Sequence, residues 1–136
     1  TRDLGLLPTA PAARAKAQAL AHSIAVDLHP VCNLQVAKHA SQISGGAPGM
    51  PGDWMVHFIR PGLQAFDGLL AEYDQSPYCT GEAPGLADIC LMPQLYNARR
   101  WGADISDMPR ILAVEAACAA HPAFAKAHPD AVNPAA

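Results

Sequence analysis

The sequence predicts an all-α fold. Alanine supplies much of the 51% apolar share while aromatic residues make up 6%, and alanine is the strongest helix former. β-Branched and aromatic residues are sparse, which leaves strands poorly supported. Apolar residues also recur at spacings of three and four along most of the chain. The 136 residues fit one domain and can bury a core without staples. The expected architecture is a bundle of about five helices, with residues 1–8 as a linker remnant, 9–128 as the helical domain and 129–136 as a tail.

The first helix is expected to start with Thr9 as N-cap and Pro11 in the first turn, where a missing N–H costs nothing. Leu20, Ile24, Leu28, Val31 and Leu34 carry its apolar period to about residue 43. Pro30 removes the hydrogen bond to the Val26 carbonyl and predicts a bend there. Residues 44–52, SGGAPGMPG, read as a loop. A second helix is expected over 53–73, with Trp54, Phe58, Leu63, Phe66, Leu69 and Leu70 on its apolar face. The Pro61-Gly62 pair predicts a kink or break at Arg60. The third helix covers residues 85–101. Its N-cap is Gly85, and Asp88 at N3 accepts the cap's backbone N–H as one half of a capping box, a structural rather than a catalytic carboxylate. Asp107 is the expected cap of a fourth helix running to about residue 119. A short helical piece follows over 123–128, and the last residues are expected to be loose.

Charge and motifs narrow the function. The net charge is −3 and no basic stripe stands out, which argues against a nucleic-acid partner. No apolar run approaches the roughly 20 residues that span a bilayer, and no signal peptide opens the chain. The four cysteines, Cys32, Cys79, Cys90 and Cys118, form no C-x-x-C pair and read as reduced buried thiols. Six histidines include no zinc-binding spacing, so no metal is expected. The opening TRDLGLLP reads as the end of a linker from an upstream segment.

Two constellations remain. Arg99 and Arg100 close the third helix about 100° apart around its axis. One is expected to face solvent and the other a cleft, where a guanidinium fork suits a carboxylate. Two solvated arginines at a helix C-terminus are the simpler alternative. His29 and Asn33, four residues apart, would share a face of the first helix and could hydrogen-bond a peptide-like ligand. A histidine and an asparagine at a domain contact or in solvent would look the same.

The motifs GLADICLMPQLYNARRW (85–101), DLHPVCNL (27–34) and ADI…MP (103–109) resemble the C-terminal helical domain of zeta-class glutathione transferases, the family of maleylacetoacetate and maleylpyruvate isomerases. The resemblance covers nearly the whole chain. It implies a cytoplasmic homodimeric enzyme with a thioredoxin-like N-terminal domain and glutathione as cofactor. The glutathione thiolate would add to the cis double bond of a small dicarboxylic substrate and leave after rotation. It also implies that His29, Asn33, Leu34 and Gln35 line the glutathione site and that Arg100 holds a substrate carboxylate. The thiol-activating residues would lie in the N-terminal domain, so no catalytic residue is expected in this chain and the chain alone is expected to be inactive. The sequence departs from the family at Gln35, where many bacterial relatives have arginine, at Leu34, at Gly85 in place of a capping threonine, and at Pro61-Gly62. The altered Leu34-Gln35 pair keeps open a general glutathione transferase or dehalogenase. A stand-alone helical binding or assembly module is the third alternative.

Overall fold

The structure, a computed structural model, describes residues 5–73 and 77–133. The chain forms α1 (Pro11–His22), a π-helical segment (Ser23–Leu28), α2 (His29–Val31), α3 (Leu34–Ile43), α4 (Gly52–Ala71), α5 (Leu86–Trp101), α6 (Pro109–Ala120), α7 (Pro122–Ala127) and α8 (Pro129–Val132). Five of these helices have ten residues or more. Among the described residues the only β pairing is the isolated bridge of Tyr78 with Gly81, so the chain is all-α as its composition predicts.

Helix α5 is the centre of the bundle and packs on α1, α4 and α6. Its buried face carries Ala87, Leu91, Leu95 and Ala98, and α1 brings Ala17, Leu20 and Ala21 to the core. Small side chains on both helices permit a close approach. Ile59, Leu63 and Phe66 of α4 and Ile111 and Val114 of α6 complete the core, all fully buried. Each such large side chain contributes about 1.5–3 kcal/mol by leaving water.

The first helical stretch departs from the expected single bent helix. The cap is Ala10, with extended backbone and Pro11 at the start of the helix, rather than Thr9. Ahead of Pro30 the helix widens into the π segment, and the His29 N–H reaches back to the Ile24 carbonyl. Widening by one residue per turn is a recognised way for a helix to absorb a local mismatch. The stretch then ends at Cys32. Asn33 has extended backbone and its side chain accepts the Gln35 N–H at 2.8 Å, starting α3. Because the helix breaks between them, His29 and Asn33 do not share a continuous helix face.

Helix α4 runs through Pro61 without interruption, so the break expected at Arg60 is absent. Gly62 is instead the place where α4 meets the π segment: a Cβ there would lie 3.0 Å from both Leu28 δ-carbons. Gly62→Val is therefore expected to lower stability by about 1–3 kcal/mol through overpacking. Gly68, on the same helix but with open space around it, gives the opposite sign: Gly68→Ala should gain about 0.5–1 kcal/mol from helix propensity. Urea midpoints of the two variants check both signs, and similar midpoints would show that Leu28 yields freely.

Helix α5 starts and stops as the sequence suggests. Asp88 Oδ2 accepts the Gly85 N–H at 2.8 Å, and Gly102 ends the helix in left-handed backbone (φ 72°), letting the Ala103 N–H bond the Ala98 carbonyl at 2.9 Å. Gly85 also leaves room for a neighbour. The Leu6 carbonyl accepts the Leu86 N–H at 2.9 Å, and a Cβ at position 85 would lie 3.0 Å from that oxygen.

The start of α6 also departs from expectation. Its N-cap is Met108 without a side-chain cap, not Asp107. Asp67, projecting from α4, accepts the Arg110 and Ile111 N–H groups on Oδ1 at 3.0 and 2.9 Å and the Arg110 guanidinium on Oδ2 at 3.2 Å. Asp107 forms a two-pronged pair with Arg60 at 3.0 and 2.8 Å, and Arg60 also donates to the Asp104 carbonyl. Residues 129–132, expected to be loose, are helical (Pro129–Val132), and the Tyr96 O–H donates to Asp130 at 3.0 Å. Residues 1–4 of the linker remnant and 134–136 of the tail lie outside the described residues.

Candidate functional site

The sequence-derived site residues lie on two pieces of backbone, 29–35 and the last turn of α5. The first turns of α4 touch both. Trp54 donates its indole N–H to the Val31 carbonyl at 2.9 Å. Two residues earlier, a side chain at Gly52 would meet the Trp101 ring at 3.9 Å. Val31 and Trp101 therefore both lie against the N-terminal end of α4.

His29 is partly buried, and desolvation holds its imidazole below the ordinary histidine pKa, favouring the neutral ring. Asn33 spends its amide oxygen on the Gln35 N–H, leaving its NH2 group as a donor. Leu34 is 44% exposed, and Gln35 is exposed too. These are neutral donors and acceptors with one apolar side chain, a set that suits a ligand rich in peptide groups.

The two arginines have different partners. Arg99 makes a two-pronged pair with Glu115 of α6, through Nε at 3.0 Å and through Nη2. Arg100 is exposed, with its guanidinium 5.9 Å from the Trp101 ring centroid. Among the described residues it has no carboxylate within ion-pair distance. Arg99 is thus neutralised locally, while Arg100 keeps its charge and its fork of donors.

Alongside α5 runs a cavity of about 600 Å³, bounded by Ile89, Met92, Pro93 and Tyr96 on one side and by Phe124, His128 and the Arg99–Glu115 pair on others. Tyr96 was not singled out by its residue type, yet its position four residues before Arg100 puts both on one helix face. That spacing is the sequence signal for it.

The acidic and thiol groups elsewhere are structural. Asp88 is fully buried and accepts the Cys79 N–H at 2.9 Å and the Cys118 thiol at 3.8 Å in addition to the Gly85 N–H. Burial pushes the Cys32 thiol up to about 11 and, with Asp88 nearby, Cys118 up to about 12. Burial and Asp88 also push Cys79 upward. These three thiols stay protonated near neutral pH and supply no nucleophile. All four cysteines are free. No cluster of metal-ligating side chains occurs among the described residues, and none of their helices is long and apolar enough to cross a membrane.

No protein-family model matches the chain. Individual proteins do. It is 42% identical over 135 residues to a maleylacetoacetate isomerase of Rhizobium meliloti, covering 98% of this chain and 63% of that protein. A glutathione S-transferase structure from Legionella pneumophila superposes with a TM-score of 0.88 at 34% identity, over 93% of this chain and 67% of that one. The holo structure of a maleylpyruvate isomerase, a bacterial glutathione S-transferase of the zeta class, superposes with a TM-score of 0.87 at 35% identity, over 93% of this chain and 60% of that one. The chain belongs to the zeta class of glutathione transferases. It matches the C-terminal part of the curated relatives and spans less than two thirds of their length, 63%, 58% and 57% of three of them. Within the zeta class its all-α bundle is the C-terminal helical domain.

Proposed function

We propose that this domain is one wall of the active site of a glutathione-dependent cis–trans isomerase acting on maleylacetoacetate or maleylpyruvate. The other wall is a thioredoxin-like N-terminal domain, and the assembled enzyme is a cytoplasmic homodimer. The observation that carries the reading is the contrast between the arginines: Glu115 neutralises Arg99, while Arg100, exposed beside the Trp101 ring, has no ion pair among the described residues. Bound glutathione supplies the thiolate that makes the cis double bond single and then leaves after rotation. His29, Asn33, Leu34 and Gln35 hold the peptide portion of the cofactor through neutral hydrogen bonds and one apolar contact. Arg100 grips a substrate carboxylate, so that rotation moves only the remainder of the molecule, and its charge stabilises negative charge developing on the substrate. The groups that activate the thiol belong to the N-terminal domain, which leaves the buried cysteines of this chain outside the chemistry.

Arg100→Ala in the full-length enzyme is expected to lower kcat/KM for maleylacetoacetate by roughly 10²-fold, the scale of losing one positioned charged donor. The urea midpoint should stay unchanged, because Arg100 is exposed and has no ion pair among the described residues. Arg99→Ala should act chiefly through stability. Unchanged kinetics for Arg100→Ala would overturn the carboxylate assignment. The isolated chain is expected to show no isomerisation, and glutathione-dependent turnover by these residues alone would refute the two-wall reading.

A further inference from the structure

Tyr96 and Arg100 stand one helical turn apart on the same face of α5; the Asp130 carboxylate holds the Tyr96 phenol above the ordinary tyrosine pKa, against a smaller opposing pull from the Arg100 charge. His128 and Asp130 lie over this face. The His128 ring meets the Tyr96 ring edge-on at 5.6 Å, and Asp130 Oδ1 accepts the Tyr96 O–H at 3.0 Å. The Asp130 backbone is fixed at the start of α8, where its N–H donates to His128 Nδ1 at 3.3 Å. A carboxylate of the chain itself therefore sits on a phenol donor, one turn from an unpaired guanidinium and at the edge of the cavity beside α5.

We propose that Tyr96 is a second donor for a small dicarboxylic ligand, beside Arg100, and that Asp130 is an intramolecular competitor that occupies this donor until the ligand arrives. The proposal rests on the assignment of Arg100 made above. A phenol and a guanidinium one turn apart can serve one carboxylate together, or a carboxylate and a neighbouring enol oxygen. Exchange requires little: one accepted hydrogen bond is replaced by another, and the Asp130 side chain, already 70% exposed, turns to water. The tail would then set how strongly a dianion must bind to enter, which makes residue 130 a determinant of ligand selection.

The test uses the full-length protein with saturating glutathione and maleate as the probe, with Kd read by calorimetry. Asp130→Ala should tighten maleate binding roughly three- to tenfold, the worth of one competing hydrogen bond. Tyr96→Phe should weaken it by a similar factor, and adding Asp130→Ala to Tyr96→Phe should give no further tightening. Glutathione affinity measured without maleate should not move in any of these variants. Unchanged or weaker maleate binding in Asp130→Ala overturns the proposal. So does equal tightening in the Tyr96→Phe background, which would mark a general charge effect. If Arg100→Ala leaves maleate affinity unchanged, the Arg100 assignment fails and takes this proposal with it. If Arg100→Ala weakens maleate while Asp130→Ala is inert, the Arg100 assignment stands and the competitor does not.

Discussion

Asp88→Ala is expected to lower the stability of the domain by about 3 kcal/mol or more, at the upper end for a single substitution. The side chain is fully buried and takes three hydrogen bonds from three parts of the chain: the Gly85 N–H at the start of α5, the Cys79 N–H in the preceding turn and the Cys118 thiol of α6. Alanine leaves two buried backbone donors without an acceptor, at about 1–3 kcal/mol each. Asp88→Asn should lose most of the same stability, because its NH2 group must face one of the donors that the second oxygen now accepts. Urea denaturation followed by circular dichroism measures both variants. A wild-type midpoint for Asp88→Ala together with lost isomerase activity would make Asp88 a chemical group and refute its structural assignment.

Asp67→Ala is the second large effect, an expected loss of about 2–3 kcal/mol. Asp67 does from a neighbouring helix what an N-cap residue does locally, accepting two of the orphan N–H groups of α6. Its ion pair with Arg110 adds little, since the Arg110 side chain is 45% exposed. The separation of these roles is measurable. Asp67→Asn keeps the accepting oxygen and should lose less than about 1 kcal/mol, whereas alanine loses the cap itself. Equal losses in the two variants would place the effect in the charge rather than in the cap.

The contrast between Asp88 and Asp67 shows how far the sequence could be read. Asp88 works on an N-cap three residues away, so the local rule for a helix start finds its bond to Gly85. Asp67 caps a helix 43 positions along the chain, and no local rule reaches it. The same rule picks Asp107 because it precedes the fourth helix at a plausible distance, yet its carboxylate is already taken by Arg60 from α4. Proline is read with similar limits. Pro30 does disturb its helix, but the disturbance is a widened stretch before it and a break after it, because Asn33 can start a new helix with its own side chain. Pro61 disturbs α4 too little to interrupt it.

The candidate site was legible in a different way. His29, Asn33, Leu34, Gln35 and Arg100 are named by the resemblance to the zeta class, since their residue types alone fit a solvated surface equally well. The stretches that carry them meet α4 through Trp54 on Val31 and the Trp101 ring on Gly52, contacts between elements that no spacing in the sequence encodes. Which arginine is left unpaired depends on where Glu115 of α6 comes to rest.

The bond between Leu6 and the first turn of α5 gives that helix a mechanical role. Leu86 is fastened to the segment ahead of α1, while Arg100 rides near the other end, about 21 Å away along the axis. Packed along its length on α1, α4 and α6, the helix moves at that fastening only together with its neighbours. A tilt of about 3° swings the guanidinium through about 1 Å, the scale on which a positioned group forfeits about 10²-fold in rate. Strain or slack introduced at Leu6 and Gly85 would be felt as a misaimed Arg100 to the extent that those neighbours yield, with every side chain around the guanidinium unchanged.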